Sequence, residues 1–151
     1  MRCGPLRGAP LAPGTFDLTA EFTPPLANDV CGTGVPSLTI PQTVTGDLTG
    51  YYGEANRCTT NYGPDIWYQL RTSADTPVTL TLTPDAASFD SVLQVVTSCS
   101  STTGTCVASA NGQSDPNGVS TVSFTALRNT TYYVVVGGVA WSVGGWTLDV
   151  R

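Results

Sequence analysis

The stretch Gly63 to Cys99, GPDIWYQLRTSADTPVTLTLTPDAASFDSVLQVVTSC, decides the fold. It reads as three successive β-strands separated by turn chemistry. In the middle run Val78, Leu80 and Leu82 alternate with Thr79, Thr81 and Thr83. A strand built from it buries one face and wets the other. Pro84-Asp85 then breaks the run before a third strand begins beside Phe89.

Working outward, the same signals predict strands at 37–41, 43–49, 65–71, 77–83, 89–97, 105–110, 119–125, 130–137 and 144–150. TYYVVVGG is continuously apolar, as suits a central strand covered on both sides. Asn111-Gly112, Asp115-Pro116-Asn117-Gly118 and Gly144-Gly145 supply turns between runs. Short strands at this spacing predict an all-β fold, an antiparallel jelly-roll-type β-sandwich over residues 28–151. Residues 1–27 form an N-terminal arm and Pro-rich linker.

Composition narrows the function. The 151-residue chain contains 24 Thr, no Lys and no His, and its net charge is −5. Six scattered Arg on an acidic chain cannot make the electrostatic footprint of a nucleic-acid binder. Without His there is no Ser-His-Asp or Cys-His catalysis, and without Lys no Schiff base. Glu21 and Glu54 form no recognisable acid/base pair. The chain reads as no enzyme. No run approaches the ~18 apolar residues that would cross a membrane.

The segments GPDIWY, FDSVL and the ending TYYVVVGG…GGWTLDV together resemble the bacterial pre-peptidase C-terminal domain. That family consists of small, secreted, non-catalytic β-sandwiches appended to proteases and other extracellular proteins. The resemblance implies an extracellular or cell-surface location. Relatives allied to collagen-binding modules hold Ca²⁺ with Asp, Asn and Glu oxygens near the linker. Here Asn28 and Asp29 lie at that linker, and Asp115 and Asn117 lie in the polar loop SDPNG. Hard oxygens of this kind suit calcium, but the acidic Glu pair at the linker is absent. The alternative is that Asp115 makes only a turn and Asp29 caps a strand end.

Five cysteines, Cys3, Cys31, Cys58, Cys99 and Cys106, fit no zinc spacing. Cys99 and Cys106 bracket SSTTGT, and Cys31 and Cys58 flank a predicted strand pair, so bridges Cys99–Cys106 and Cys31–Cys58 are expected. Early and central pairs of this kind in the resembled family point the same way. Two disulfides imply an oxidising compartment. Cys3 is left over for an intermolecular bridge, or is a terminal thiol with no role. MRCGPLRGAPLAPG has no continuous apolar run of a secretory signal. The expectation is a piece of a longer precursor.

The arm carries an internal echo. GAPLAPGTFDLTA (8–20) aligns without gaps on GVAWSVGGWTLDV (138–150), with Gly8, Gly14 and Leu18 on Gly138, Gly144 and Leu148. Phe16, Leu18, Ala20 and Phe22 alternate as a strand would. Thr23-Pro24-Pro25 is a stiff, extended spacer that favours projection outward. The arm is therefore either the tail of a preceding module in a tandem array or a strand donated to a neighbouring copy.

Trp67 and Tyr68 point to opposite sides of their strand, so at most one is expected in the core. With Trp141, Trp146, Tyr51 and Tyr52 they could form an aromatic binding face for sugar or peptide, but for the tryptophans the core is the favoured expectation. Tyr51 and Tyr52, between Gly50 and Gly53, sit in a loop where exposed aromatics make contacts, or else pack locally. Asp90, shared with the family pattern, is expected to accept backbone N–H bonds at a strand start. Asn129-Thr130-Thr131 is an N-glycosylation sequon. Two function classes follow. One is an extracellular structural or adhesive subunit that assembles on copies of itself or tandem modules through its arm. The other is an ancillary module that binds an extracellular protein or polysaccharide for a secreted hydrolase.

Overall fold

The computed structural model describes residues 26–32, 34–53, 58, 63–99, 106–112, 115 and 117–151. Among these, nine strands run in chain order: β1 Ser37–Leu38, β2 Gln42–Asp47, β3 Asp65–Arg71, β4 Thr76–Pro84, β5 Ser91–Val96, β6 Cys106–Asn111, β7 Ser120–Ala126, β8 Thr131–Gly138 and β9 Gly145–Val150. They form two sheets packed face to face, ordered β1-β3-β8-β5-β6 and β2-β9-β4-β7. All pairings are antiparallel except β1 with β3, which is parallel. The all-β sandwich expected from the alternation is the fold observed, with strand ends shifted by a few residues.

Alternation places the core. Val78, Leu80 and Leu82 of β4 and Trp146, Leu148 and Val150 of β9 all face inward and are buried. They meet Ile66, Tyr68 and Leu70 of β3, Leu93 and Val95 of β5, and Val134 and Val136 of β8. The opposite face of the four-stranded sheet is hydroxylic. Register puts Thr43, Asp149, Thr81 and Thr121 in one rank and Thr45, Thr147 and Thr83 in the next. Thr43 Oγ1 donates to Asp149 Oδ1 at 2.6 Å within the first rank, and Thr79 Oγ1 bonds Ser123 Oγ at 3.0 Å across β4 and β7 on the same face.

The five-stranded sheet is covered on both faces. Segment 28–36 leaves the edge of β3, where the Asn28 carbonyl accepts the Trp67 N–H, crosses the outer face and returns where Pro36 accepts the Gln69 N–H. Beneath it lies a second small core of Val35, Trp67, Val96 and Val135, packed with Cys31, Cys58 and Tyr133. The expectation that at most one of Trp67 and Tyr68 is core is therefore corrected. Both are buried, on opposite faces of one strand, because this strap supplies the cover that a two-layer sandwich would lack.

The disulfide connectivity is also corrected. The bridges are Cys31–Cys99 and Cys58–Cys106, not Cys31–Cys58 and Cys99–Cys106. β5 and β6 already pair directly, with Val96 opposite Cys106, so the hairpin needs no bridge of its own. Each bridge instead ties an outer-face segment to the β5–β6 end of the sheet. The Cys58 N–H donates to the buried Gln94 Oε1 at 3.1 Å, which seats Cys58 over β5.

Candidate interaction surface

The sandwich has two dissimilar ends. Turns 72–75 and 127–130, the link 39–41 and Arg151 lie at the lower end. The 85–90 and 139–144 connections, residues 112, 115 and 117–119 between β6 and β7, and residues 48–53 lie at the upper end. Asp47, Asp85, Asp90 and Asp115 all fall at the upper end, with Asp29 and Asp65 buried beneath it. Among the described residues every Arg, namely Arg71, Arg128 and Arg151, falls at the lower end, beside Asp75 and Asp149. The module is therefore electrostatically polar along its strand axis.

The upper end also carries exposed apolar side chains. Tyr52 is 74% exposed and Trp141 66% exposed, and Leu26, Val30 and Val143 accompany them. These groups are neighbours because backbones stack tightly below them. A Cβ on Gly53 would strike the Gly63 carbonyl, and one on Gly63 would come within 3.3 Å of the Trp141 nitrogen. Leu26 Cδ1 lies over Gly50. Ala140 and Trp141 both hold left-handed backbone, φ 49° and 68°, a conformation that costs L-residues energy. The Val139–Trp141 turn thus holds Trp141 out of the core, and the expectation that this tryptophan is core is corrected. Trp146 is buried as expected.

Tyr51 is half-buried against the main core, whereas Tyr52 projects. The Tyr52 N–H donates to Asp29 Oδ1 at 3.0 Å, and the Tyr52 carbonyl accepts the Asp65 N–H. Asn28, with φ 53°, hydrogen-bonds the Tyr68 hydroxyl through its side chain. Burial pushes the Tyr68 hydroxyl above the usual tyrosine range, against the opposing pull of Asn28 and with a smaller upward push from Tyr51. Asp115 Oδ1 accepts the Asn117 N–H at 2.8 Å, closing a turn between β6 and β7. The Asn28/Asp29 pair stands beside β3, and the Asp115/Asn117 pair follows β6. Strands β8 and β5 separate the two pairs, roughly 14 Å at sheet spacing. The structure does not bring the four residues together. Among the described residues no three His, Cys, Asp or Glu converge on one point.

The Asp90 backbone makes its contacts, the N–H donating to Ser142 Oγ at 3.0 Å and the carbonyl accepting the Val139 N–H at 2.9 Å. Its Oδ1 is buried without a hydrogen-bond partner. Asn129 is exposed in the lower turn before β8, with φ 60°. Cys3, Phe16, Leu18, Ala20 and Phe22 lie outside the described residues.

Among the described residues no strand covers one side of the sandwich. At the other, β6 and β7 lie against each other. On the first side β1 is two residues long, and β2 is an edge strand whose inward-facing Gln42, Val44 and Gly46 are only half-buried. At the lower end of this edge, Ile40, Pro41, Gln42, Val150 and Arg151 line an open cavity of about 650 Å³. A second of about 360 Å³ adjoins it, sharing Ile40 with Leu70 and Arg71. No helix among the described residues is long and apolar enough to cross a membrane. The edge strand and the polarity of the ends are visible only once topology is known.

No protein-family model matches the sequence, and no curated protein does. Solved structures do match. The pre-peptidase C-terminal domain of a collagenase from Bacillus anthracis superposes with a TM-score of 0.57 at 14% identity, over 78% of this chain and 94% of that one. CorA of Methylomicrobium album BG8, a surface-associated copper-binding protein, gives 0.52 at 10% identity, over 77% and 96%. Two sheets in this order, tied by two disulfides and matched over nearly the whole of the collagenase domain, make this a sandwich of the pre-peptidase C-terminal type.

Proposed function

We propose that this chain is a non-catalytic extracellular accessory module that assembles with copies of itself by strand addition. The neighbours in fold and the two disulfides support the extracellular setting. The observation that carries assembly is the edge position of β2, which no described strand pairs on its outer side. An edge strand presents unpaired backbone groups, and proteins usually guard it with Lys, Pro or a covering element. The chain has no Lys. The arm supplies a matching strand, because residues 15–20 echo β9, and β9 already pairs with β2 along its other side.

In this reading residues 14–22 of one copy add to β2 of the next. Phe16, Leu18 and Ala20 correspond to Trp146, Leu148 and Val150, the buried face of β9. Covering two Phe and a Leu is worth on the order of 5 kcal/mol before ordering costs, and Cys3 would add a covalent lock. The test is sedimentation velocity on the full chain and on a chain lacking residues 1–23. The full chain should assemble and the shortened one should be a folded monomer. Equal assembly by both ends the proposal.

A second reading, ligand binding by an accessory domain of a hydrolase, is favoured by exposed Tyr52 and Trp141. Soluble polysaccharides and collagen peptides titrated against tryptophan fluorescence would test it. No change at any concentration for any of them would sink it.

A further inference from the structure

The assembly reading leaves open which surfaces meet, and the chain path answers that. We infer that the upper end of one module docks on the lower end of the module before it, with Tyr52 and Trp141 seated at the Ile40–Arg151 cavity. The inference rests on the strand-addition reading for its polarity and on the two ends themselves for its chemistry.

Polarity comes first. β9 runs antiparallel to β2, from Gly145 beside Asp47 at the upper end to Val150 beside Gln42 at the lower. A strand that resembles β9 and pairs with β2 in the same sense finishes at the acceptor's lower end. Residues 23–25 then lead into Leu26, which lies over Gly50 at the donor's upper end. With three residues between them, residue 22 and Leu26 are four Cα steps apart and at most ~14 Å from each other. The donor's upper end must therefore lie against the acceptor's lower end. A tandem array gives the same contact, because residues 15–20 would then be the last strand of the preceding module.

The two ends are complementary. The upper one offers a projecting Trp and Tyr rimmed by Asp47, Asp85 and Asp115. The lower one offers a depression walled by Ile40 and Pro41, in which Arg151 stands with Asp149, and Arg71 lines the cavity that adjoins it. Aromatic anchors filling a pocket within a charged rim are the usual anatomy of a strong contact. Two upper ends would repel through Asp47, Asp85 and Asp115, whereas head to tail the same carboxylates meet the end that carries Arg71, Arg128 and Arg151. The strained Ala140-Trp141 turn is accounted for as the device that holds the anchor outward. Such a contact joins different patches, so it propagates into a filament or a ring rather than stopping at a dimer.

The experiment compares the full chain with Trp141→Asn and Arg151→Glu by sedimentation and negative-stain microscopy, at low and high salt, with the chain lacking residues 1–23 alongside. Asn tolerates left-handed backbone, so the first variant removes the anchor and keeps the turn; circular dichroism checks the fold of each. Each substitution should weaken association by at least about tenfold, and salt should weaken the unsubstituted chain. If removing the arm abolishes assembly but neither substitution changes it, strand donation stands and end-to-end docking is overturned. If the substitutions weaken assembly and loss of the arm does not, docking stands and donation falls. A full chain that stays monomeric throughout overturns both.

Discussion

Trp67 and Tyr68 are consecutive on β3, both are buried, and they belong to different hydrophobic cores. Tyr68 packs edge-on against Trp146 between the sheets, at 6.3 Å between ring centroids. Trp67 packs edge-on against Tyr133 beneath the outer strap, at 6.5 Å, and its Nε1 donates to Asp65 Oδ1 at 2.9 Å. The strap is what converts one face of the five-stranded sheet from solvent-facing to core; the Cys31–Cys99 bridge holds it there, and Cys58, bridged to Cys106, packs beside it.

Replacing Cys58 and Cys106 together by Ser should destabilise the module by about 4 kcal/mol, from the chain-entropy cost of a loop of this size. Urea unfolding monitored by circular dichroism measures it. Non-reducing peptide mapping should recover Cys31 joined to Cys99. Recovery of Cys31 joined to Cys58 would refute the strap.

Gln94→Leu keeps the volume of a fully buried side chain but leaves the Cys58 N–H without its acceptor. The expected loss is about 1–3 kcal/mol. A variant as stable as the parent in the same unfolding experiment would show that this contact contributes nothing to the strap.

Gly46 is set by its neighbour across the sheet. A Cβ there would stand 2.5 Å from Trp146 Cζ2, inside a fully buried indole. Gly46→Ala should therefore cost about 1–3 kcal/mol through overpacking, with a change in near-ultraviolet circular dichroism from displaced Trp146. No change in either would mean the indole yields freely.

Tyr68 ties stability to alkaline pH. Burial raises its ionisation in the folded state above the ordinary value of 10.0, so the unfolded chain releases this proton first. Its contribution is fully present below pH 10 and is lost as pH rises through the folded-state value. Tyr68→Phe should flatten the decline of melting temperature above pH 10, measured by calorimetry across that window. An unchanged slope would assign the decline to other groups.

The strands were legible because period-two alternation is local: Val78, Leu80 and Leu82 announce their shared face without knowledge of any partner. The continuous apolar run of β8 likewise announced cover on both sides, since a sheet interior is the place for it. The strap was not legible, because residues 28–36 carry no periodicity and their path follows from where β3 and β5 lie. Cysteine connectivity failed for the same reason, Cys99 and Cys106 being near in sequence yet each joined to an outer-face segment. Trp141 could have been flagged, since it follows Ala140 in a connection between runs rather than within one. The polarity of the ends could not, because Asp47, Asp85 and Asp115 become neighbours only when the turns are stacked.

The threonine ranks on the four-stranded sheet have a consequence of their own. Its flank is solvated by hydroxyls, with Asp149 and its Thr43 partner as an interruption. Hydroxyls neither titrate over the pH range in which proteins survive nor gather counterions. That one flank of the module keeps nearly the same hydration in acid, in brine and in fresh water. Its environment is sensed at its tips.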